Sequence, residues 1–216
     1  MSDAIWNMDE TGFQIGTAKG NYVVTLRRKN ASLLGIPTNT EYATCVESIS
    51  AAGEHIPGFI ILTGKVYQSK WFTTPNLPDN YVIGLSESGY TNDQLSLAWL
   101  KHFEKHTKAK ASGDTRLLII DGCGSHHTRE FVDYAFEHNI VPFGLPPQLT
   151  HLLQPLDVVI FSPMKYWHST AVSNMVRNGI DSIKKEDFLA VIDEIRGEAL
   201  KTNSIIMAFK KQEYTL

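Results

Sequence analysis

Apolar and polar positions keep three different rhythms along this chain, and each predicts a different kind of element. Up to residue 63, β-branched and aromatic residues come in short stretches at 4–9, 21–27, 42–50 and 56–63, punctuated by Gly12, Gly16, Gly20 and Gly53. These predict strands, with Ala51-Ala52-Gly53-Glu54 as a hairpin turn between the last two. Residues 64–90 are rich in Gly, Pro, Asn and Ser and predict a long irregular excursion. Behind Thr91-Asn92-Asp93-Gln94, which has the form of a helix capping box, Leu95, Trp99 and Phe103 recur every fourth residue. A helix to about residue 107 follows, with Trp99 in its core-facing stripe.

The second half changes rhythm again. Leu117-Leu118-Ile119-Ile120 is continuously apolar, as a central strand covered on both faces must be. Gly122 and Gly124 allow a sharp reversal, and Ser125 or Thr128 can cap a helix whose inner face carries Phe131, Tyr134, Ala135 and His138. Ile140-Val141-Pro142-Phe143 predicts one more strand, closed by Pro146-Pro147. Phe161, Met164 and Trp167 then recur at helical spacing as core residues, with Pro163 placed to kink or restart that helix. A last amphipathic helix carries Phe188, Val191, Ile192, Ile195 and Ala199. A strand meander followed by helix, strand, helix, strand and helices predicts an α/β fold, a mixed sheet with helices on its faces.

Within that frame three aspartates stand where apolar chain stops being apolar: Asp9, Asp121 and Asp157. The strand from Ala4 and the strand ending at Asp121 can lie side by side, which brings their carboxylates to one sheet edge. A helix carrying Asp157 supplies the third. Carboxylates that converge repel one another, and divalent cations are the usual remedy. Glu10 competes with Asp9, because adjacent strand residues face opposite ways and only one can face the site.

Composition narrows the classes. The 216 residues suit one domain with a real core, and no apolar run is long enough to span a membrane. Two cysteines, Cys45 and Cys123, form no disulfide framework. A net charge of −3 argues against tight unaided binding to nucleic acid, despite the local cluster Arg27-Arg28-Lys29. Gly122-Cys123-Gly124 lacks any surrounding P-loop or dinucleotide pattern and predicts a tight strand-to-helix turn. His126 and His127 have no nearby cysteine pair to complete a zinc site. A phosphatase built on Asp121-Gly122 would need a second aspartate close by, which is missing.

Asn7-Met8-Asp9-Glu10-Thr11-Gly12-Phe13, Asp121-Gly122-Cys123-Gly124-Ser125-His126 and His151-Leu152-Leu153-Gln154-Pro155-Leu156-Asp157 together resemble the three signature blocks of the DDE superfamily endonuclease domain. The likeness covers about residues 5–210 and is nearest to the pogo-like branch of the Tc1/mariner transposases. The resemblance implies a ribonuclease-H-like fold and metal-dependent cleavage and joining of DNA. It puts Asp9, Asp121 and Asp157 on the family's catalytic acidic triad, holding two Mg²⁺ or Mn²⁺ ions, with Asp9 as the bridging ligand. It also implies DNA as partner, a nuclear location, and either a homodimer or a partner that supplies DNA-binding domains.

Two departures accompany the resemblance. The family usually has histidine where this chain has Cys123. Its members carry helix-turn-helix DNA-binding domains ahead of the catalytic domain, whereas Met1 lies eight positions before Asp9, so residues 1–216 are expected to be a single isolated catalytic domain. The alternative expectation is an inactive relic or domesticated domain that binds DNA or a protein partner.

Overall fold

The computed structural model describes residues 2–16, 41–109, 115–122, 128–146, 153–180 and 182–213. The strand expected at 21–27 lies outside them, as do Cys123, His126 and His127.

Six strands form one mixed sheet: β1 (Ile5–Ile15), β2 (Glu41–Ser50), β3 (Phe59–Thr63), β4 (Val82–Ser86), β5 (Arg116–Ile120) and β6 (Ile140–Gly144), ordered β4-β3-β2-β1-β5-β6. β1 to β3 form the expected antiparallel meander. β5 and β6 then run parallel to β1 on its other side. β4 corrects the expectation of an unbroken irregular stretch over 64–90, since it pairs with β3 in parallel along five residues. Its sequence Val82-Ile83-Gly84-Leu85-Ser86 does not alternate, because Gly84 interrupts the apolar run. A Cβ there would come within 2.8 Å of the tip of the Leu95 side chain, which would have to shift.

Helices cover both faces. α1 (Asp93–Thr107) and α2 (Arg129–Glu137) pack on one. α2 is capped by Thr128, one of the two expected residues, whereas α1 is capped by Asn92, one residue after the Thr91 that the capping-box form implies. The two side chains accept the backbone N–H groups of Phe131 (3.3 Å) and Leu95 (2.9 Å). On the other face lie a π-helical turn over Leu156–Ile160, α3 (Phe161–Arg177), α4 (Lys185–Ala199) and α5 (Thr202–Glu213). α5 was not foreseen from the pattern. Pro163 falls where the π-helical turn passes directly into α3, so the change of helical pitch lies beside the proline and not in the middle of the helix.

Two apolar cores result. Trp6, Met8, Val46, Leu118 and Ile120 meet Trp99, Phe103, Phe131 and Ala135 on the α1/α2 face. Phe13, Ile15, Cys45 and Ile49 meet Leu156, Ile160, Met164, Phe188 and Ile192 on the other. Each such side chain, fully buried, stabilises the fold by roughly 1.5–3 kcal/mol before entropy is counted. Trp99 is 1% exposed, but Trp167 is 36% exposed on α3, which corrects its expected core placement. It lines a cleft between α3 and α4 with Met175 and Ile195.

Candidate active site

β1 alternates between the two cores, and that alternation decides which acidic side chain faces where. Trp6 and Met8 point to the α1/α2 face, Phe13 and Ile15 to the opposite one. Asn7 and Asp9 therefore face the π-helical turn, and Glu10 faces away from it. β1 and β5 pair in parallel with Asn7 level with Ile119. Two residues further on, the same register sets Asp9 beside Asp121, on the same face. The third segment arrives through Asn7 itself: its Oδ1 accepts the Leu156 N–H at 3.1 Å while its Nδ2 donates to the Ile119 carbonyl at 3.2 Å. Asp157 follows at once, in the first turn of the π-helical segment.

Asp9 is 9% exposed, Asp121 is half-buried and Asp157 is exposed. Both oxygens of Asp9 are held. Oδ1 accepts the Glu10 N–H at 2.8 Å. Gln154 is only 1% exposed, and its neighbours assign its amide orientation. The nitrogen donates to Asp9 Oδ2 at 2.8 Å and the oxygen accepts the Asp121 N–H at 3.2 Å, since the reverse would set oxygen against oxygen and N–H against N–H. Burial above all, and then the charge of Asp157, push the Asp9 carboxyl up to about 8; the Glu10 N–H opposes this, and Asp121 adds a further upward push. Asp121 and Asp157 thus both lie within reach of the Asp9 charge. Among the described residues, no three acidic, histidine or cysteine side chains are already closed around a single point.

Glu10 sits on the opposite face near Thr91. Burial raises its carboxyl, the Thr91 hydroxyl draws it down, and the Asp121 charge raises it again. Glu47 is directly opposite Asp9 on β2 and faces the same way, yet its charge is taken by Arg196 of α4. The donor set left at the sheet edge is therefore three carboxylates, with the buried and otherwise unpartnered Thr11 hydroxyl two residues on from Asp9 along the same face. Such hard oxygen donors suit Mg²⁺ or Mn²⁺ and would relieve the repulsion that Asp9 feels. The sequence gives Gln154, with Pro155, only the part of shaping the turn that presents Asp157, and gives Asn7 no part in the site. The signal was present, since both are amides inside the signature blocks, next to apolar residues.

The family model described as DDE superfamily endonuclease matches residues 39–209. The chain belongs to this family. A Cochliobolus lunatus protein named MFS-type transporter clz9 is 32% identical over 211 residues, which are 97% of this chain and 23% of that protein. The human Pogo transposable element with ZNF domain is 25% identical over 163 residues, 75% of this chain and 11% of that protein. The chain thus spans a quarter or less of the length of these curated relatives. Among its described residues no helix is long and apolar enough to cross a membrane.

Solved structures place the family's fold beyond its sequences. The Mos1 mariner paired end complex with Mn superposes with a TM-score of 0.63 at 14% identity, covering 100% of this chain and 54% of that one. The catalytic domain of Mos1 mariner transposase gives 0.56 at 11% identity, covering 98% and 79%. The ribonuclease-H-like fold and the DDE superfamily membership expected from the signature blocks are therefore found, with a likeness to Pogo transposable elements in sequence and to Mos1 in fold. Asp121 and Asp157 fall inside the span of the family model, and Asp9 precedes it.

Proposed function

We propose that this chain is the catalytic core of a transposase-type DNA endonuclease, with Asp9, Asp121 and Asp157 as its acidic triad. The observation that carries this reading is the meeting of the three charges at one end of β1 and β5, with the most buried of them raised to about 8. Carboxylates crowded in this way oppose one another in a scaffold that does no chemistry, which speaks against an inert relic.

Divalent cations bound there would activate the attacking oxygen and offset the charge that develops on a phosphodiester. Asp9, Asp121 and Asp157 would hold such ions, with Asp9 steadied at both of its oxygens. Water would attack phosphorus, breaking the bond to the 3′ oxygen and freeing a 3′-hydroxyl. That hydroxyl would then attack a phosphodiester of target DNA. The Glu10 N–H and the Gln154 amide keep the Asp9 carboxylate from turning as charge shifts around it. DNA as substrate, a nuclear setting, and assembly with a second copy or with a partner bearing DNA-binding domains all go with this reading. Support for them comes from the transposable-element names of the relatives and the paired end complexes of Mos1.

Nicking of supercoiled plasmid in Mn²⁺ or Mg²⁺ tests the proposal. Wild-type protein should nick, and Asp9→Ala and Asp121→Ala should not. Undiminished nicking by either variant would sink the assignment.

A further inference from the structure

Two buried amides tie the three acidic segments together reciprocally. Asn7 belongs to β1, and its side chain reaches the other two segments: it donates to Ile119 of β5 at 3.2 Å and accepts from Leu156 of the π-helical turn at 3.1 Å. Gln154 belongs to the approach to that turn, and its side chain reaches the same other two: it donates to Asp9 of β1 at 2.8 Å and accepts the N–H of Asp121 beyond β5 at 3.2 Å. Each amide thus uses both of its ends across a boundary between segments. The sequence separations they span are 112 and 149 residues for the two Asn7 bonds.

We infer that Asn7 and Gln154 form a positioning clasp that sets where Asp9, Asp121 and Asp157 stand relative to one another; this rests on the catalytic reading above. Asn7 is 0% and Gln154 1% exposed, so both amides are desolvated and depend on these partners. Apolar side chains of similar size would fill the space without that dependence, but they would leave the three segments free to shift against one another. Charge tells the same way. An arginine or lysine in place of Gln154 would also bind Asp9, but it would neutralise the carboxylate and compete with a cation. An amide orients Asp9 and leaves its charge intact. Donors that orient a metal-binding carboxylate from behind are worth roughly ten- to a hundredfold in metal affinity.

The test uses the whole chain with Gln154→Leu, and Asn7→Thr as a milder variant, close in size and uncharged, that cannot reach both Ile119 and Leu156. Two readouts are taken: amide hydrogen exchange by NMR in chelator, and calorimetric titration with Mn²⁺. Gln154→Leu should raise exchange at the Asp121 N–H at least tenfold while the Leu118 amide within β5 stays as in wild type. It should also weaken Mn²⁺ binding about tenfold or more. Asn7→Thr should remain folded and weaken Mn²⁺ binding by a smaller factor, which keeps the proposal open to refutation if Gln154→Leu fails to fold. Wild-type Mn²⁺ affinity in folded Gln154→Leu, or in Asn7→Thr if that is the variant that folds, overturns the clasp alone. Wild-type protein that takes up no Mn²⁺, or whose uptake ignores Asp121→Asn, overturns the catalytic reading and the clasp's role with it.

Discussion

Arg196 grips Glu47 with two prongs: Nε lies 2.8 Å from one carboxylate oxygen and a terminal nitrogen 2.9 Å from the other, both side chains buried. The guanidinium also donates to the Ile56 carbonyl at 2.8 Å and to the Tyr81 hydroxyl, which in turn donates to Asp193 at 2.6 Å. Glu47 is the cross-strand neighbour of Asp9. Losing Arg196 would strand a buried negative charge beside an acidic corner that already holds three. Arg196→Leu should lower stability by about 3–5 kcal/mol, and Glu47→Leu with Arg196→Leu should recover a large part of that. Urea denaturation of the two single variants and the double variant checks it. A double variant no more stable than Arg196→Leu would show that the pair is not the source of the loss.

Cations should stabilise the fold through the same corner. Mn²⁺ at about a hundred times its dissociation constant should add about 2.7 kcal/mol to wild-type stability, seen as a rise in melting temperature that chelator reverses. Asp9→Ala and Asp121→Ala should melt at the same temperature with and without the ion. A rise of wild-type size in either variant would place the cation elsewhere.

Glu10 and Asp9 should separate cleanly in a nicking assay. Glu10 lies on the α1/α2 face beside Thr91, so Glu10→Gln should keep activity within about tenfold of wild type, whereas Asp9→Asn should abolish it. The reverse result would mean that β1 presents its other face to the substrate.

His102 gives the fold a titration of its own. Its Nε2 donates to the Pro57 carbonyl at 2.8 Å, and its ring packs by Phe59 and His106. Burial, with smaller pushes from His106 and Lys105, lowers it from 6.5 to about 4, against the pull of the Pro57 carbonyl. The unfolded chain therefore takes up the proton first. Stability is lost as pH falls from 6.5 toward about 4, by at most ~1.4 kcal/mol per pH unit from this group. His102→Gln should show a shallower loss across that window in urea midpoints. Equal slopes would refute the assignment.

Gly53 should resist substitution. Its φ of +93° is a left-handed value, and a Cβ there would meet Thr202 Cγ2 at 2.7 Å and Ile206 Cγ1 at 3.0 Å on α5. Gly53→Ala should cost at least ~1 kcal/mol, against the gain that alanine brings at unstrained sites. Thermal melts decide the sign.

Much of this was legible from the order of residues, for identifiable reasons. The helices at 93–107 and 185–199 carry apolar side chains at helical spacing, and β5 is a short apolar run that only a doubly covered strand explains. β4 was hidden because an edge strand with a central glycine has no alternation to detect. α5 was hidden because Ile205-Ile206-Met207-Ala208-Phe209 is an unbroken apolar run, which shows no helical spacing and reads equally as a short buried strand. Trp167 misled because helical spacing says which residues share a stripe, and not whether a neighbour covers it. The candidate site was legible in its carboxylates and illegible in its amides. Acidic side chains at the ends of apolar runs look out of place, whereas Asn7 and Gln154 show their importance only once their partners, more than a hundred positions away, are known.

One consequence of the β1–β2 ladder concerns fidelity of the site. Ten successive residue pairs lock the two strands. Sliding by a single position would turn Asp9 toward α1 and present Met8 or Glu10 to Asp121 instead. The long, plain stretch of pairing thus works as a ratchet stop: it forbids the one small misalignment that would leave the chain folded but chemically mute.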